Sequence, residues 1–299
     1  MVEIKEVRFR GHESFFIRKG WLYKGLKNVR NKPHVFIDKD ENPMDVLGIG
    51  ANMVRSLRYW LQAVKLTEEP KSGVKNQTFT QLGQIIWNND TYIEEMGTLW
   101  LLHYQLATNE EEATAWYYFF NEFKMSEFKK EDFVSSLSSY SKTKYDKEIA
   151  DSSFEGDFDC IINTYVSRLK SNPEKVHPEN NIDCPLGELG LINIVNRKNK
   201  IYQKSKPPKD SLHPMIVLAV ILDQAKGQEE IKITTLLNDP CNIGKIFNLD
   251  IIALTSCLYK IQQLGYLKVV RTAGLDVIRI NKSIDFFECI KKYYQEINQ

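Results

Sequence analysis

Apolar residues along this chain recur mostly at helical spacing, broken by short stretches that alternate like strands. In GIGANMVRSLRYWLQAVKLTEEPKSGVKNQTFT, running from Gly48 to Thr80, Met53, Leu57, Trp60, Leu61 and Val64 form one apolar stripe. That spacing leaves Asn52, Arg55, Tyr59 and Gln62 on the opposite face, with Arg58 at its margin. After the helix, Val64 to Thr67 and Gln77 to Thr80 read as short strands around the turn cluster Pro70, Lys71, Ser72 and Gly73. Further helices are predicted at Thr80 to Trp87, Met96 to Leu106, AWYYFFNEF, Lys129 to Tyr145 and Phe158 to Leu169, the fourth carrying a Ser-rich stretch that is either a helix end or a loop. Ile194 to Tyr202 has strand character, and Asn172 to Asn181 and KSKPPKDS (Lys204 to Ser211) read as connections.

From His213 onward the order is clearest. A helix over Pro214 to Ala225 precedes a strand at Glu230 to Thr234. Asp250 then caps a helix with Ile251, Leu254, Leu258, Ile261 and Leu264 as its stripe, ended by Gly265. Strands at Tyr266 to Arg271 and Val277 to Ile280 follow. The last helix, from Ser283, carries Phe286, Phe287, Ile290, Tyr293, Tyr294 and Ile297 on one side, which either covers the hairpin unit or forms a homodimer seam. The predicted fold is mainly α with small β-hairpins (α+β), with tandem winged-helix-like modules flanking a helical middle region. The expected divisions are 1–108, a basic winged-helix-like domain; 109–206, an acidic helical middle region with linker; and 207–299, a winged-helix domain with a covering helix.

Charge sharpens this division. The net charge of +1 conceals about six excess bases in residues 1–33, about ten excess acids in 90–160 and about six excess bases from 191 onward. Two basic ends around an acidic middle suit nucleic acid gripped at the ends, although charge runs are also plain solvated faces. The five cysteines are scattered and never form C-x-x-C, which argues against a zinc ribbon or disulfide framework. No apolar run is long enough to cross a bilayer and MVEIKEVRFR lacks a secretory h-region, so the expected location is the cytoplasm, in association with the nucleoid.

DNA is the partner these features favour. The candidate contacts are Arg10, Arg18, Lys19 and Lys24 in the basic, aromatic entry; Asn52, Arg55, Arg58, Tyr59, Gln62 and Lys71 in the first hairpin unit; and Lys260, Gln263 and Arg271 in the last. Cationic side chains would hold phosphates, and amides would reach base edges. His12 and Glu13 are the candidate catalytic pair, a proton-transfer group beside a ligand for Mg²⁺ or Mn²⁺. Adjacent residues share a site only in a loop, and the alternative is a hydrogen-bonded structural pair. His103 reads as a satisfied core histidine. No P-loop, nucleophile elbow, H-E-x-x-H or dinucleotide fingerprint occurs, so no nucleotide or redox cofactor is expected.

Five segments, GHESFFIRKGWLYKG (11–25), GIGANMVRSLRYWLQA (48–63), FTQLGQIIW (79–87), TLWLLHYQL (98–106) and DCPLGELGLI (183–192), together resemble the SspB-like family of domain-of-unknown-function proteins. The resemblance implies a place in a bacterial DNA phosphorothioation and phage-defence operon, beside a cysteine desulfurase, an ATPase and a sulfur-activating enzyme. It further implies the DNA-nicking component that opens a strand for sulfur insertion. A non-catalytic DNA-binding adaptor or regulator, or a winged-helix scaffold for the sulfur-transfer proteins, are the alternatives, because no nuclease motif maps onto these segments.

Overall fold

The computed structural model describes residues 6–166, 183–272, 275–281 and 284–298. The connection expected at Asn172 to Asn181 and the last residues of the helix expected to reach Leu169 lie outside them. Within the described residues the chain is α+β, with helices around three small antiparallel sheets.

The first block contains α1 (Trp21–Asn31), α2 (Pro43–Leu47) and α3 (Ala51–Ala63), followed by the two-residue strands β1 (Thr67–Glu68) and β2 (Thr78–Phe79). The Asn42 side chain accepts the Met44 N–H to start α2, and Gly48, at φ 61°, ends it in the left-handed region that glycine adopts freely. Thr80 caps α4 (Gln81–Asn89) by accepting the Gly83 N–H. A Cβ at Gly83 would lie 2.0 Å from the Leu66 carbonyl oxygen, so glycine lets α4 pack directly on backbone.

Helix α5 (Met96–Thr108) is buried at every position from Gly97 to Ala107. It is apolar on all sides, the signature of a helix in the middle of a core. Around it lie α6 (Thr114–Asn121), β3 (Glu127–Phe128), α7 (Lys130–Tyr145), α8 (Asp151–Tyr165), a 3-10 turn (Pro185–Leu189), and the strands β4 (Ile192–Asn196) and β5 (Ile201–Lys204). The Ser-rich stretch continues as helix to Tyr145. The single strand expected at Ile194 to Tyr202 is a hairpin, β4 with β5, joined on its other edge by β3. Lys204, at the end of β5, donates to the carbonyls of Phe119 and Phe123, capping the last turn of α6.

The last block runs α9 (Pro214–Ala225), β6 (Glu230–Lys232), α10 (Ile233–Asn238), α11 (Ile243–Ile246), α12 (Ile251–Gln263), β7 (Leu267–Thr272), β8 (Leu275–Ile280) and α13 (Phe286–Ile297). The strand expected to reach Thr234 stops at Lys232, where α10 begins. Asp250 caps α12 as expected, and the sheet order is β6-β8-β7. Helix α13 turns its apolar side inward: Tyr293 Oη accepts the Gly97 N–H at 3.0 Å and Tyr294 bonds Thr98 at 2.5 Å. That stripe is thus spent on α5 and on α9, which α13 also packs against. Buried apolar residues form one cluster that runs from Ile17 to Tyr294.

His103 is fully buried. Its Nε2 donates to the Ile246 carbonyl and its Nδ1 accepts from the Tyr165 hydroxyl, each at 2.8 Å. Burial holds its pKa down at about 4, so it is a neutral strut between α5, α8 and α11. Among the described residues no single helix is long and apolar enough to cross a membrane.

Candidate functional site

The segment before α1 makes an unusual turn. Arg10, Glu13 and Ser14 all sit in the left-handed region, at φ 55°, 51° and 69°. Such conformations cost about 1–3 kcal/mol each outside glycine and persist where the surroundings over-determine them. Here the determinant is His12, which is fully buried. Its Nδ1 accepts the Ser14 N–H at 3.1 Å, which leaves the ring proton on Nε2 to be donated to Asp157 Oδ1 at 2.7 Å. The Arg10 N–H donates to the same oxygen at 2.9 Å. The imidazole stacks on Trp60 of α3 and meets Trp116 of α6 edge-on, while Trp60 Nε1 donates to the Phe15 carbonyl at 2.8 Å. The turn is thereby fixed to three helices at once.

This placement sets His12 inside the protein, fully buried with both ring nitrogens bonded to protein groups, rather than at the surface where the catalytic expectation put it. Its neighbour does face outward: Glu13 lies 3.3 Å from Arg55 Nε and is 39% exposed. The two adjacent residues do point apart, and His12 anchors what Glu13 presents.

Glu13 opens onto a cavity of about 260 Å³ bounded by Arg8, Gly11, Arg55, Arg58, Tyr59, Gln62 and Glu69. Arg58 grips Glu69 through both nitrogens of its fork, at 2.6 and 2.8 Å. Glu69 also accepts from Gln62 and Gln77, at 3.3 and 3.1 Å. Arg8 bonds Glu112 at 2.8 Å and lies 4.9 Å above the Tyr59 ring. Gly11 closes the wall, since a Cβ there would lie 2.4 Å from that ring.

Tyr59 was expected on the exposed face and is instead buried, with its hydroxyl donated to the Glu112 carbonyl at 2.9 Å. Burial pushes its pKa well up, so it remains a neutral phenol. The cause is long-range packing: residues 8–11 and the α5–α6 connection cover this side of α3, and neither is visible in the helix's own periodicity. The inward set is accordingly Val54, Leu57, Tyr59, Trp60, Leu61 and Ala63, with Met53 only partly buried.

The other expected contacts are dispersed. Asn52 is exposed and bonds Arg55. Arg10 bonds Ser14 Oγ, Arg18 lies against the rings of Phe15 and Trp21, and Lys24 donates to the Leu47 carbonyl at the end of α2. Lys19 is exposed, 3.5 Å from Glu94, and Lys71 is exposed in its turn. In the last block Lys260 pairs with Asp210 at 2.7 Å, Arg271 bonds Thr255, and Gln263 is exposed. Of the residues read from sequence, Glu13, Arg55, Arg58, Tyr59 and Gln62 share one cavity. Arg8, Glu69 and Glu112 were missed. Arg8 shares the VRFR alternation with Arg10, whereas nothing local marks the two glutamates.

Among the described residues no group of three or more His, Cys, Asp or Glu side chains is arranged to hold a metal ion. The cavity offers two carboxylates, Glu13 and Glu69, each engaged by an arginine.

Two crystal structures of SspB share this fold with a TM-score of 0.83. One, described as magnesium ion-bound SspB, is 26% identical over 97% of this chain and 89% of its own. The other is 25% identical over 99% and 91%. No curated protein matches the chain at a significant level. The family model described as "Protein of unknown function (DUF4007)" matches residues 9–294, nearly the whole length. The chain therefore belongs to the DUF4007 family and is SspB-like in fold from end to end.

Proposed function

We propose that this chain is the DNA-contacting component of a bacterial DNA phosphorothioation and anti-phage defence system. It holds the DNA backbone in the arginine cleft beside α3 and opens one strand with Mg²⁺ or Mn²⁺. The observation that carries this reading is the convergence of Arg8, Arg55 and Arg58 on one polar cavity under a strained, buried-anchored turn. The likeness to SspB, one structure of which is magnesium-bound, supports the setting.

The arginines are paired at rest, yet exposed pairs contribute only about 0–1 kcal/mol. Arg55 is 61% exposed and Arg8 48%, so a phosphodiester replaces their carboxylates at little cost. The half-buried Arg58–Glu69 fork stays in place and orients the wall. Exchange of Glu13 for phosphate frees its carboxylate. Mg²⁺ binds through one or two carboxylates with waters and phosphate oxygens, and Glu13 would be the carboxylate released to hold it once DNA is present. The ion would neutralise charge on the leaving oxygen.

Element order supports winged-helix-like units at both ends. Three helices then a hairpin, α1 to β2, lie beside the cleft, and α9 to β8 sets four helices before its hairpin, with an added strand in the sheet β6-β8-β7. Exposed acids of α8, Asp151 and Glu155, would offer the sulfur-transfer partners an acidic surface. The complete burial of His12 favours a second reading, a non-catalytic adaptor that positions DNA for those partners.

Supercoiled plasmid incubated with the purified chain and Mg²⁺ or Mn²⁺ separates the two. Relaxation abolished by Glu13→Gln supports nicking, and binding without relaxation supports the adaptor. An absence of binding to both single- and double-stranded DNA at low salt sinks both.

A further inference from the structure

We propose that the cavity between the end of α6, β5 and the α11–α12 corner is a second anion site, built for a ligand carrying a multiply charged phosphoryl group. It encloses about 450 Å³ and lies in the middle and last blocks, lined by none of the residues of the arginine cleft. Three lysines line it: Lys124, Lys204 and Lys245. Among the described residues the only carboxylate in its wall is Asp250, which is already spent, because it caps α12 through the Ala253 N–H at 2.8 Å and pairs with Lys206. The wall thus carries about two to three positive charges, according to the state of Lys204, with no free counter-charge.

Lys204 is the centre of the arrangement. Its Nζ donates to the Phe119 and Phe123 carbonyls at 2.6 Å each, and the rings of the same residues lie 4.7 and 5.4 Å away. Burial, reinforced by Lys245, brings its pKa down to about 7. A protein that gathers like charges around a partly desolvated amine loses stability by doing so, unless an anion relieves the repulsion.

A singly charged carboxylate would leave most of that charge unbalanced, whereas a phosphate monoester or diphosphate matches it, and lysines bind phosphate as point charges. Ser126 and Asn238 supply neutral hydrogen-bonding groups, while Met125, Leu237, Leu249 and Ile251 supply an apolar side. Met125 and Ile251 are 43% and 45% exposed, so the apolar side continues out of the mouth. The ligand has a charged head and a less polar body, as a nucleotide or a phosphorylated strand end does.

Titration calorimetry of the full chain with inorganic pyrophosphate tests the site, in the unaltered chain and in Lys124→Glu/Lys245→Glu. Lys124 is exposed and Lys245 half-buried, and neither donates to the carbonyls that Lys204 caps. Binding in the unaltered chain that weakens at least about tenfold in the double variant is the expected result. No binding at about 10 mM pyrophosphate, or equal binding by both proteins, overturns the proposal. A nucleoside diphosphate and a 5′-phosphorylated oligonucleotide run in parallel distinguish the source: whichever loses affinity in the double variant is the class recognised, and unchanged affinity for both again overturns the site. Arg55→Glu, in the separate cleft, leaves unchanged the pyrophosphate binding that the lysine double variant removes, so failure of the cleft and failure of this cavity read out independently.

Discussion

His12 Nε2 and Asp157 Oδ1 meet at 2.7 Å across 145 residues of chain, with both side chains almost wholly out of solvent. This bond ties the entry segment to α8 and holds three left-handed residues in place. Breaking a buried, hydrogen-bonded pair from one side costs about 3–5 kcal/mol. His12→Ala is therefore expected to lower the urea midpoint strongly, and Glu13→Gln to leave it nearly unchanged. Equal effects would remove the distinction between anchor and presented residue. A double cycle with Asp157→Ala should show coupling of at least about 1 kcal/mol.

Arg55→Glu is expected to weaken DNA binding and to reduce the slope of log affinity against log salt by about 0.9 for each phosphate that the protein no longer neutralises. Electrophoretic or anisotropy titrations at several salt concentrations measure this. An unchanged slope would exclude Arg55 from the DNA backbone interface.

Arg58→Lys keeps the charge but loses the two-nitrogen grip on Glu69. It should reduce DNA affinity by less than Arg58→Glu does while still loosening the cavity wall. Faster hydrogen exchange at residues 67–69 would report that loosening.

His103 makes stability depend on acid. Its pKa is about 4 in the folded chain against 6.5 for a free histidine, so between those values the unfolded chain binds a proton that the folded one does not. Stability is therefore expected to fall as pH drops from about 6.5 to about 4, by roughly 3 kcal/mol over the full range. Urea midpoints at pH 7 and 4.5 should differ more in the unaltered chain than in His103→Gln. Asp38, whose pKa is held near about 2 mainly by its bond from Lys32, acts only below this window.

Gly97→Ala should destabilise by about 1–3 kcal/mol, because the new Cβ would lie 2.2 Å from the Tyr293 ring. Loss of near-ultraviolet tyrosine signal together with the drop in thermal midpoint would locate the damage at α13.

Most elements of the fold were legible because their signals are local. Asp250 and Gly265 bracket α12 in sequence as they do in space, and Pro214 opens α9. The strand β3 was not legible, since two residues at Glu127–Phe128 gain their identity only from pairing with Gln203 and Tyr202. The cleft was half legible for the same reason. Arg55, Arg58 and Gln62 follow from helix phase, but Tyr59 is turned inward by a segment some fifty residues earlier and a connection some fifty later. Glu13 emerged as a candidate for its chemistry, while the burial of His12 depended on Asp157, which nothing in the local sequence pairs with it.

The clasp of Tyr293 and Tyr294 on Gly97 and Thr98 has a consequence for biogenesis. Each of these bonds spans 196 residues, so α5 acquires its last neighbours only after the final helix has left the ribosome. Until then the first turn of this wholly buried helix lacks its cover from α13. The N-terminal turn of α5 is therefore closed by a partner far along the chain, a contact of high sequence separation that local helix formation does not supply.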